Sequence, residues 1–426
     1  MTAASMTTGQ DTTTMTTDAD DSPATSMAHE AQPGSAGLPV TPAGESAILA
    51  TYKRAPVEFV GGRGVHLHGR DGRAYVDFVS GIAVNALGYD DPGLKAAMHA
   101  AADGLVHTSN LYGTQPGERL ASELVAKSFA DKVFFCNSGA EANEGAFKFA
   151  RRWARTKGDA KLEIVALRGA FHGRLFGTLA ATDRPAYRLP FRPLVPGVSI
   201  FERDLAELDA ALSQDTVAAL ILEPIQGEGG VRVIDHGLLR ELRALTASRD
   251  IALILDEIQC GLGRTGTLFA YEQAGIEPDM LTLAKPLAGG LPMGAILMTD
   301  AIASAVKPGD HGTTFGGGPF VSSVALHVLE RLSDPTMLAH VRETGAWMGR
   351  ELHEIARRTG RIRQVRGTGY MWGLDVMNTA AQVVSEALGK GLLVCSAGDY
   401  TVRLLPPLVA TRAELAEGLR ILEGVL

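Results

Sequence analysis

Cysteine, early positive charge and long apolar runs are all scarce in this 426-residue chain, and each scarcity removes a class of function. The three cysteines, Cys136, Cys260 and Cys395, are scattered, lack ligand spacing and fall mostly in apolar, strand-like contexts. That excludes a disulfide framework and points to a reducing compartment. Cys136 and Cys260 adjoin motifs described below, yet read best as buried thiols without a catalytic role. His66 and His68 have no acidic or thiol cluster to join them, so they read as one face of a strand rather than a metal site.

Lysine and arginine are missing altogether before Lys53. Residues 1–45 are rich in Thr, Ala, Ser, Asp and Met. They hold neither the apolar stretch of a secretory signal nor the arginines of an organellar transit peptide, so a disordered tail is expected there. No run approaches the ~18 apolar residues of a membrane span, and a soluble, cytoplasmic protein is expected. A net charge of −8 argues against a nucleic-acid partner, which would require a clustered basic face.

What remains is an ordinary globular composition, 46% hydrophobic and 21% charged, in a chain long enough for two domains. From about 93 to 318, helical stretches alternate with short aliphatic strands. These are Val133 to Cys136, Ile164 to Leu167, Ala218 to Leu222, Ala252 to Leu255, Leu281 to Ala284 and Gly294 to Met298. The alternation predicts an α/β fold whose large domain has a mostly parallel sheet covered on both faces. Val57 to Asp77 reads as a small meander. After 319 come helices, then strands at Val365 to Asp375, Leu392 to Cys395 and Thr401 to Leu405. The segments 46–92 and 319–426 are expected to combine into one small α+β domain. No internal repeat is visible.

The densest information lies between Ile251 and Gly290. One apolar run ends in Asp256 and a second ends in Lys285. Neighbouring carboxyl ends of parallel strands are where open α/β sheets hold their ligands. An amine there can form a Schiff base with an aldehyde cofactor, and a carboxylate opposite can keep a pyridine nitrogen protonated. That pairing points to pyridoxal phosphate; two helix-capping residues that happen to follow strands remain the plain alternative. The turn Asn137-Ser138-Gly139-Ala140, between a strand and a helix, suits a phosphate through free N–H groups and the helix dipole, or is a simple N-cap. The run Gly312 to Gly318 could reach a phosphate oxygen or serve as a flexible linker.

With these residues in view, the chain resembles the class III, fold-type I aminotransferases, most closely the acetylornithine/ornithine branch. The matching motifs are GIAVNALG (81–88), SNLY (109–112), FFCNSGAEANE (134–144), FHGR (171–174), EPIQGEGGV (223–231), LDEIQCGLGRTG (255–266), LAKPLAGGLPMGA (283–295), DHGTTFGG (310–317) and VRLLPPL (402–408). The resemblance implies pyridoxal 5′-phosphate as cofactor. Lys285 matches the lysine that carries it and moves the reaction's proton, and Asp256 the partner of the pyridine nitrogen. Gln259 matches an amide near the phenolic oxygen, Ser138, Gly139 and Ala140 the phosphate turn, and Phe171 the aromatic that stacks on the ring. Thr314 matches a threonine that reaches the phosphate of the partner subunit, which implies a homodimer with shared sites. Arg174 matches the arginine that takes a substrate carboxylate, while Glu228 and Arg403 match a pair that switches between two substrates.

The residues themselves agree. A planar guanidinium such as that of Arg174 gives bidentate carboxylate recognition. Arg403 lies in an apolar run where an unpaired charge would be costly, and Glu228 can partner it. Two departures from the family stand out: Gly318 replaces the usual Asn before a Pro, and Pro286 follows the lysine, biasing Lys285 to an extended conformation. Ile82 stands where ornithine-specific relatives place a Tyr, which fits a donor with an acylated α-amine. The reading implied is transfer of the terminal amine of N-acetylornithine to 2-oxoglutarate. Succinylornithine, ornithine, 4-aminobutyrate or carrier-bound lysine are the rival donors.

Overall fold

In the computed structural model, residues 47–426 are described, and the expected tail at 1–45 lies outside them. The strands of the central sheet form where the apolar runs lie, whereas the outlying ones are more polar. Phe59–Arg63 (β1), His66–Gly69 (β2) and Ala74–Asp77 (β3) make an antiparallel meander. Lys132–Cys136 (β4), Glu163–Leu167 (β5), Val198–Phe201 (β6) and Val217–Leu222 (β7) follow, then a two-residue-per-strand hairpin, Ile225–Gln226 (β8) and Arg232–Val233 (β9). Ala252–Asp256 (β10), Met280–Leu283 (β11) and Gly294–Met298 (β12) complete the central region. Ile362–Thr368 (β13), Met371–Val376 (β14), Leu392–Leu393 (β15), Cys395–Ser396 (β16) and Thr401–Leu404 (β17) lie beyond it.

The central sheet has the order β4-β12-β11-β10-β7-β5-β6. The run from β11 through β6 is parallel, and β12 is antiparallel to both β4 and β11. Both faces are buried, and side-chain alternation sends neighbouring residues of one strand to different cores. Val165, Leu167, Leu253 and Leu255 face the larger core. Ile164, Ala166, Ala252 and Ile254 face a second one beneath the helix Gly139–Ala154. That helix turns Ala142, Ala146 and Ala150 to the sheet at four-residue spacing. At Gly145 the approach is so close that a Cβ would meet Ile296 Cδ1 at 2.6 Å.

The second sheet, β1-β2-β3-β15, joins the two ends of the region, because β15 pairs in parallel with β3. The third has the order β13-β14-β17-β16. The fold is thus α/β with a mostly parallel seven-stranded sheet, accompanied by a smaller α+β part built from the N- and C-terminal segments.

Three details differ from the sequence reading. The edge strand β6 goes unread, since Val-Ser-Ile-Phe is short, half-buried and interrupted by a serine. The stretch Val365 to Asp375 is not one strand but part of a hairpin, closed between Thr368 and Met371 by Gly369 at φ 54° and Tyr370. The stretch Leu392 to Cys395 divides, β15 joining β3 while β16 joins β17. In each case tertiary pairing decides what local pattern leaves open.

After β3 the backbone takes an uncommon course. Ser80, Gly81, Ile82 and Ala83 lie consecutively in the left-handed region, at φ 46°, 66°, 64° and 65°. Asp77 Oδ1 accepts from the Val79 and Ser80 N–H groups at 2.7 and 3.0 Å, and Ser80 Oγ donates to the Leu405 carbonyl at 2.6 Å. These bonds hold the turn and deliver Val84 to the wall of the principal cavity.

Candidate active site

A cavity of about 410 Å³ opens at the carboxyl edge of the central sheet. The turn after β4, the loop after β5, and the ends of β7, β10 and β11 all contribute to it, as expected where ligands sit in such sheets. Ser138, Gly139, Ala140, Phe171, Arg174, Asp256, Gln259 and Lys285 all line it.

Asp256 closes β10 and is almost fully buried. Its Oδ2 accepts twice, from Asn143 Nδ2 at 2.7 Å and from His172 Nδ1 at 2.8 Å. Thr282, on β11, donates to Asn143 Oδ1 at 2.8 Å and so fixes which way the amide faces. Among the described residues, Oδ1 accepts only from the Ile258 N–H, at 3.1 Å. The carboxylate is therefore locked on one oxygen and turned to the cavity.

Lys285 follows β11 by two residues. Pro286 bars it from the right-handed helical region, but the extended conformation expected of it is not what forms. Lys285 lies at φ 38° and opens a 3₁₀ turn, Lys285–Ala288. A non-glycine residue in that region is strained, a feature that gathers at functional sites. Burial, then the positive charge of Arg403, brings its amine down to about 8, against the opposing pull of Glu228, Asp256 and Glu223.

Ser138 caps the helix Gly139–Ala154, its Oγ accepting from the Glu141 N–H at 3.2 Å. A Cβ on Gly139 would lie 2.8 Å from Ile258 Cδ1, so the turn must be bare there. The orphan N–H groups and the positive end of this sixteen-residue helix face the cavity.

Arg403 is 1% exposed. Its Nη1 donates to Glu228 Oε1 at 2.6 Å and to Gln259 Oε1 at 3.0 Å, and its Nε lies 3.4 Å from Cys395 Sγ. Burial works to raise the Glu228 carboxyl, but Arg403, Lys285 and Arg184 together hold it below its ordinary value. A Cβ on Gly227 would stand 2.1 Å from Gln259 Oε1, so a side chain there would displace the amide that Arg403 holds. Arg174, by contrast, is exposed at the cavity, its guanidinium stacked on Tyr187 at 3.5 Å from the ring centroid.

Thr314 does not line this cavity. It borders a second one of about 760 Å³, beside Asn110, Leu111 and Tyr112. Leu111, Tyr112 and Phe315 are among the most exposed apolar side chains described. Ile82 is 39% exposed and does not line the principal cavity, whose wall takes Val84 instead.

Sequence reasoning misses several members of the site. Glu223, buried, accepts from the Phe171 N–H at 2.9 Å and the Gly227 N–H at 3.0 Å, tying the loop after β5 to the loop after β7. Burial pushes its carboxyl up, and nearby His172 opposes this. Its signal was the one that marked Asp256, an acid at the end of a fully apolar strand. Asn143, His172, Thr282 and Tyr187 had no signal of their own, because their roles arise only from the packing. Cys136 and Cys260 are free, buried thiols, and burial pushes Cys136 up to about 12.

The family profile described as "Aminotransferase class-III" matches residues 48–426. The acetylornithine aminotransferase of Gloeobacter violaceus is 45% identical over 392 residues, covering 91% of this chain and 98% of that protein. Among solved structures, the N-acetylornithine aminotransferase of Stenotrophomonas maltophilia is 38% identical with a TM-score of 0.78, covering 88% of this chain and 96% of that one. The ornithine aminotransferase of Toxoplasma gondii, whose structure shows partial occupancy of PLP at the active site, is 30% identical with a TM-score of 0.86, covering 89% and 91%. The chain therefore belongs to the class III aminotransferases, enzymes that depend on pyridoxal phosphate.

Proposed function

We propose that the protein moves the terminal amino group of N-acetylornithine to 2-oxoglutarate, giving N-acetylglutamate semialdehyde and glutamate, as in arginine biosynthesis. One observation carries the proposal: Arg174 is open on the cavity wall, while a second guanidinium, that of Arg403, lies behind Gln259 and is masked by Glu228. Arg174 is free to take the carboxylate that both substrates carry. Arg403 is covered by Glu228, and only a substrate with a second carboxylate, glutamate or 2-oxoglutarate, has reason to uncover it. The relatives named acetylornithine aminotransferase support the same donor.

The cavity suits a phosphorylated pyridine aldehyde on its donor set: a depressed amine, a carboxylate with one oxygen turned inward, and a bare helix terminus. When bound, that cofactor supplies an electron sink for the carbon that bears the migrating amine. In this reading Lys285 holds it through its amine and then moves the proton at that carbon. Asp256, held by Asn143 and His172, keeps the pyridine nitrogen protonated. Ser138, Gly139 and Ala140 would receive the phosphate, Phe171 would cover the ring, and Gln259, which accepts from Arg403 Nη1 at 3.0 Å, would serve the phenolic oxygen.

The same proposal includes a homodimer in which Thr314 completes the neighbour's phosphate site, a cytoplasmic location, and a division into a large domain (93–318) and a small one (46–92 with 319–426). The exposed apolar side chains around Thr314 support the dimer. Steady-state assay of ω-amino donors with 2-oxoglutarate tests the donor. N-acetylornithine should give the highest kcat/KM, and preference for free ornithine or 4-aminobutyrate would overturn it.

A further inference from the structure

We propose that Arg184 and Tyr187, three residues apart on one short segment, are positioning residues that hold the open and the masked arginine ends of the site in fixed relation. The inference rests on the carboxylate roles proposed above for Arg174, Glu228 and Arg403.

The first observation concerns Arg174. Its guanidinium carbon lies 3.5 Å from the centroid of the Tyr187 ring and 5.9 Å from that of Phe171. The two rings stand nearly perpendicular, at 83°, with centroids 6.4 Å apart. Among the described residues these rings are the partners of Arg174, and no carboxylate pairs with it. Stacking occupies the flat face of a guanidinium and leaves its in-plane N–H pairs directed outward, the arrangement a carboxylate needs for bidentate contact. A free arginine chain would otherwise have to give up several rotamers on binding.

The second observation concerns Glu228. Arg184 caps the helix Pro185–Arg188 that carries Tyr187, and its Nη2 donates to the main-chain carbonyl of Glu228. Glu228 lies between Gly227 and the pair Gly229-Gly230, whose peptides are tied down on either side of it: the Gly227 N–H donates to Glu223 at 3.0 Å, and the Gly229 and Gly230 carbonyls accept from Arg232 Nε at 3.0 Å and Arg366 Nε at 2.7 Å. Arg184 adds the restraint on the Glu228 carbonyl itself. The segment is itself anchored, since Asp183 donates its N–H to the Ala170 carbonyl at 2.8 Å and accepts from the Gly169 N–H at 2.8 Å. One segment thus seats the arginine that both substrates use and tethers the acid that masks the arginine only one of them uses.

Calorimetric binding to the cofactor-loaded enzyme tests this, with glutarate engaging both ends and valerate only one, alongside steady-state kinetics. Tyr187→Leu should weaken both ligands and raise the KM of both substrates about tenfold, the worth of a partly buried cation–π stack, with kcat within about twofold. Tyr187→Phe, which keeps the ring, should behave as the parent. Arg184→Met should leave valerate unchanged and tighten glutarate several-fold, because a loosened Glu228 masks Arg403 less. Should Tyr187→Leu fail to fold, Tyr187→Met carries the same expectation. Unchanged binding in Tyr187→Leu, a Phe variant as weak as Leu, or equal shifts for both ligands in Arg184→Met would overturn the proposal. Arg174→Ala and Glu228→Ala serve as controls. If they too are silent, the carboxylate assignments fail; if they respond while Tyr187 and Arg184 do not, only the positioning roles fail.

Discussion

Arg403 and Glu228, 175 residues apart in the chain, meet at 2.6 Å with the arginine almost wholly buried. A buried charge without its partner is expensive, so any substrate that separates the pair must replace what Glu228 gives. A second substrate carboxylate does so, and an acylated amine does not. Arg403→Ala should therefore cost glutamate and 2-oxoglutarate roughly 2–5 kcal/mol in kcat/KM while N-acetylornithine changes far less. Glu228→Ala should let glutamate compete better with the donor. Half-reactions followed by cofactor absorbance measure the two separately, and equal losses for both substrates in both variants would reduce the pair to a structural ion pair.

Lys285 should be the residue that carries the cofactor. Borohydride reduction followed by peptide mapping is expected to place the pyridoxyl group on Lys285 alone, and Lys285→Ala should bind the cofactor without turnover. A label on another lysine would refute the assignment.

Asp256→Asn or Asp256→Ala should abolish transamination and leave the fold intact by circular dichroism. An ion pair to the ring nitrogen in a site shielded from water contributes several kcal/mol to lowering the barrier, so retention of more than about a tenth of the activity would contradict the role.

The depressed amine gives a pH signature. Stripped protein should recombine with pyridoxal phosphate faster as pH rises through about 8, and then level off, where an exposed lysine would keep gaining towards 10.5. The sign for stability follows from linkage. Folding lowers this pKa, so between about 8 and 10.5 the unfolded chain holds a proton the native chain has released. The native cofactor-free protein gains stability as pH rises through that window and carries the full cost of the buried charge below it. The difference between parent and Lys285→Met in urea titrations should vary with pH in that direction.

Mixing Lys285→Ala chains with Thr314→Ala chains should restore activity, since a heterodimer has one site with both residues intact. Failure to recover activity, with subunit exchange shown independently, would remove Thr314 from the neighbour's site.

The strands that carry Asp256 and Lys285 were legible because they are buried on both faces and read as unbroken apolar runs. Ser138, Arg174 and Arg403 were legible through motif and charge. What stayed hidden depends on distance in sequence: Asn143 finds Asp256 across 113 residues and Thr282 finds Asn143 across 139. A polar residue inside a helix carries no local mark of such a partner. Lys285 shows the opposite failure, since the local rule for a residue before proline held only in what it forbade, and the residue entered a 3₁₀ turn at positive φ instead.

The left-handed turn at Ser80–Ala83 sets an unusual rule for substitution. Three of its four residues bear a Cβ where such a backbone costs about 1–2 kcal/mol each, so the turn persists by virtue of Asp77 and Leu405 rather than its own preferences. Asparagine or glycine at Ile82 should therefore raise the melting temperature while loosening nothing on the cavity wall, whereas valine or proline should lower it. For anyone engineering the enzyme, this exposed position is one where a residue at ease with positive φ strengthens the scaffold, and where the β-branched native side chain is the one that weakens it.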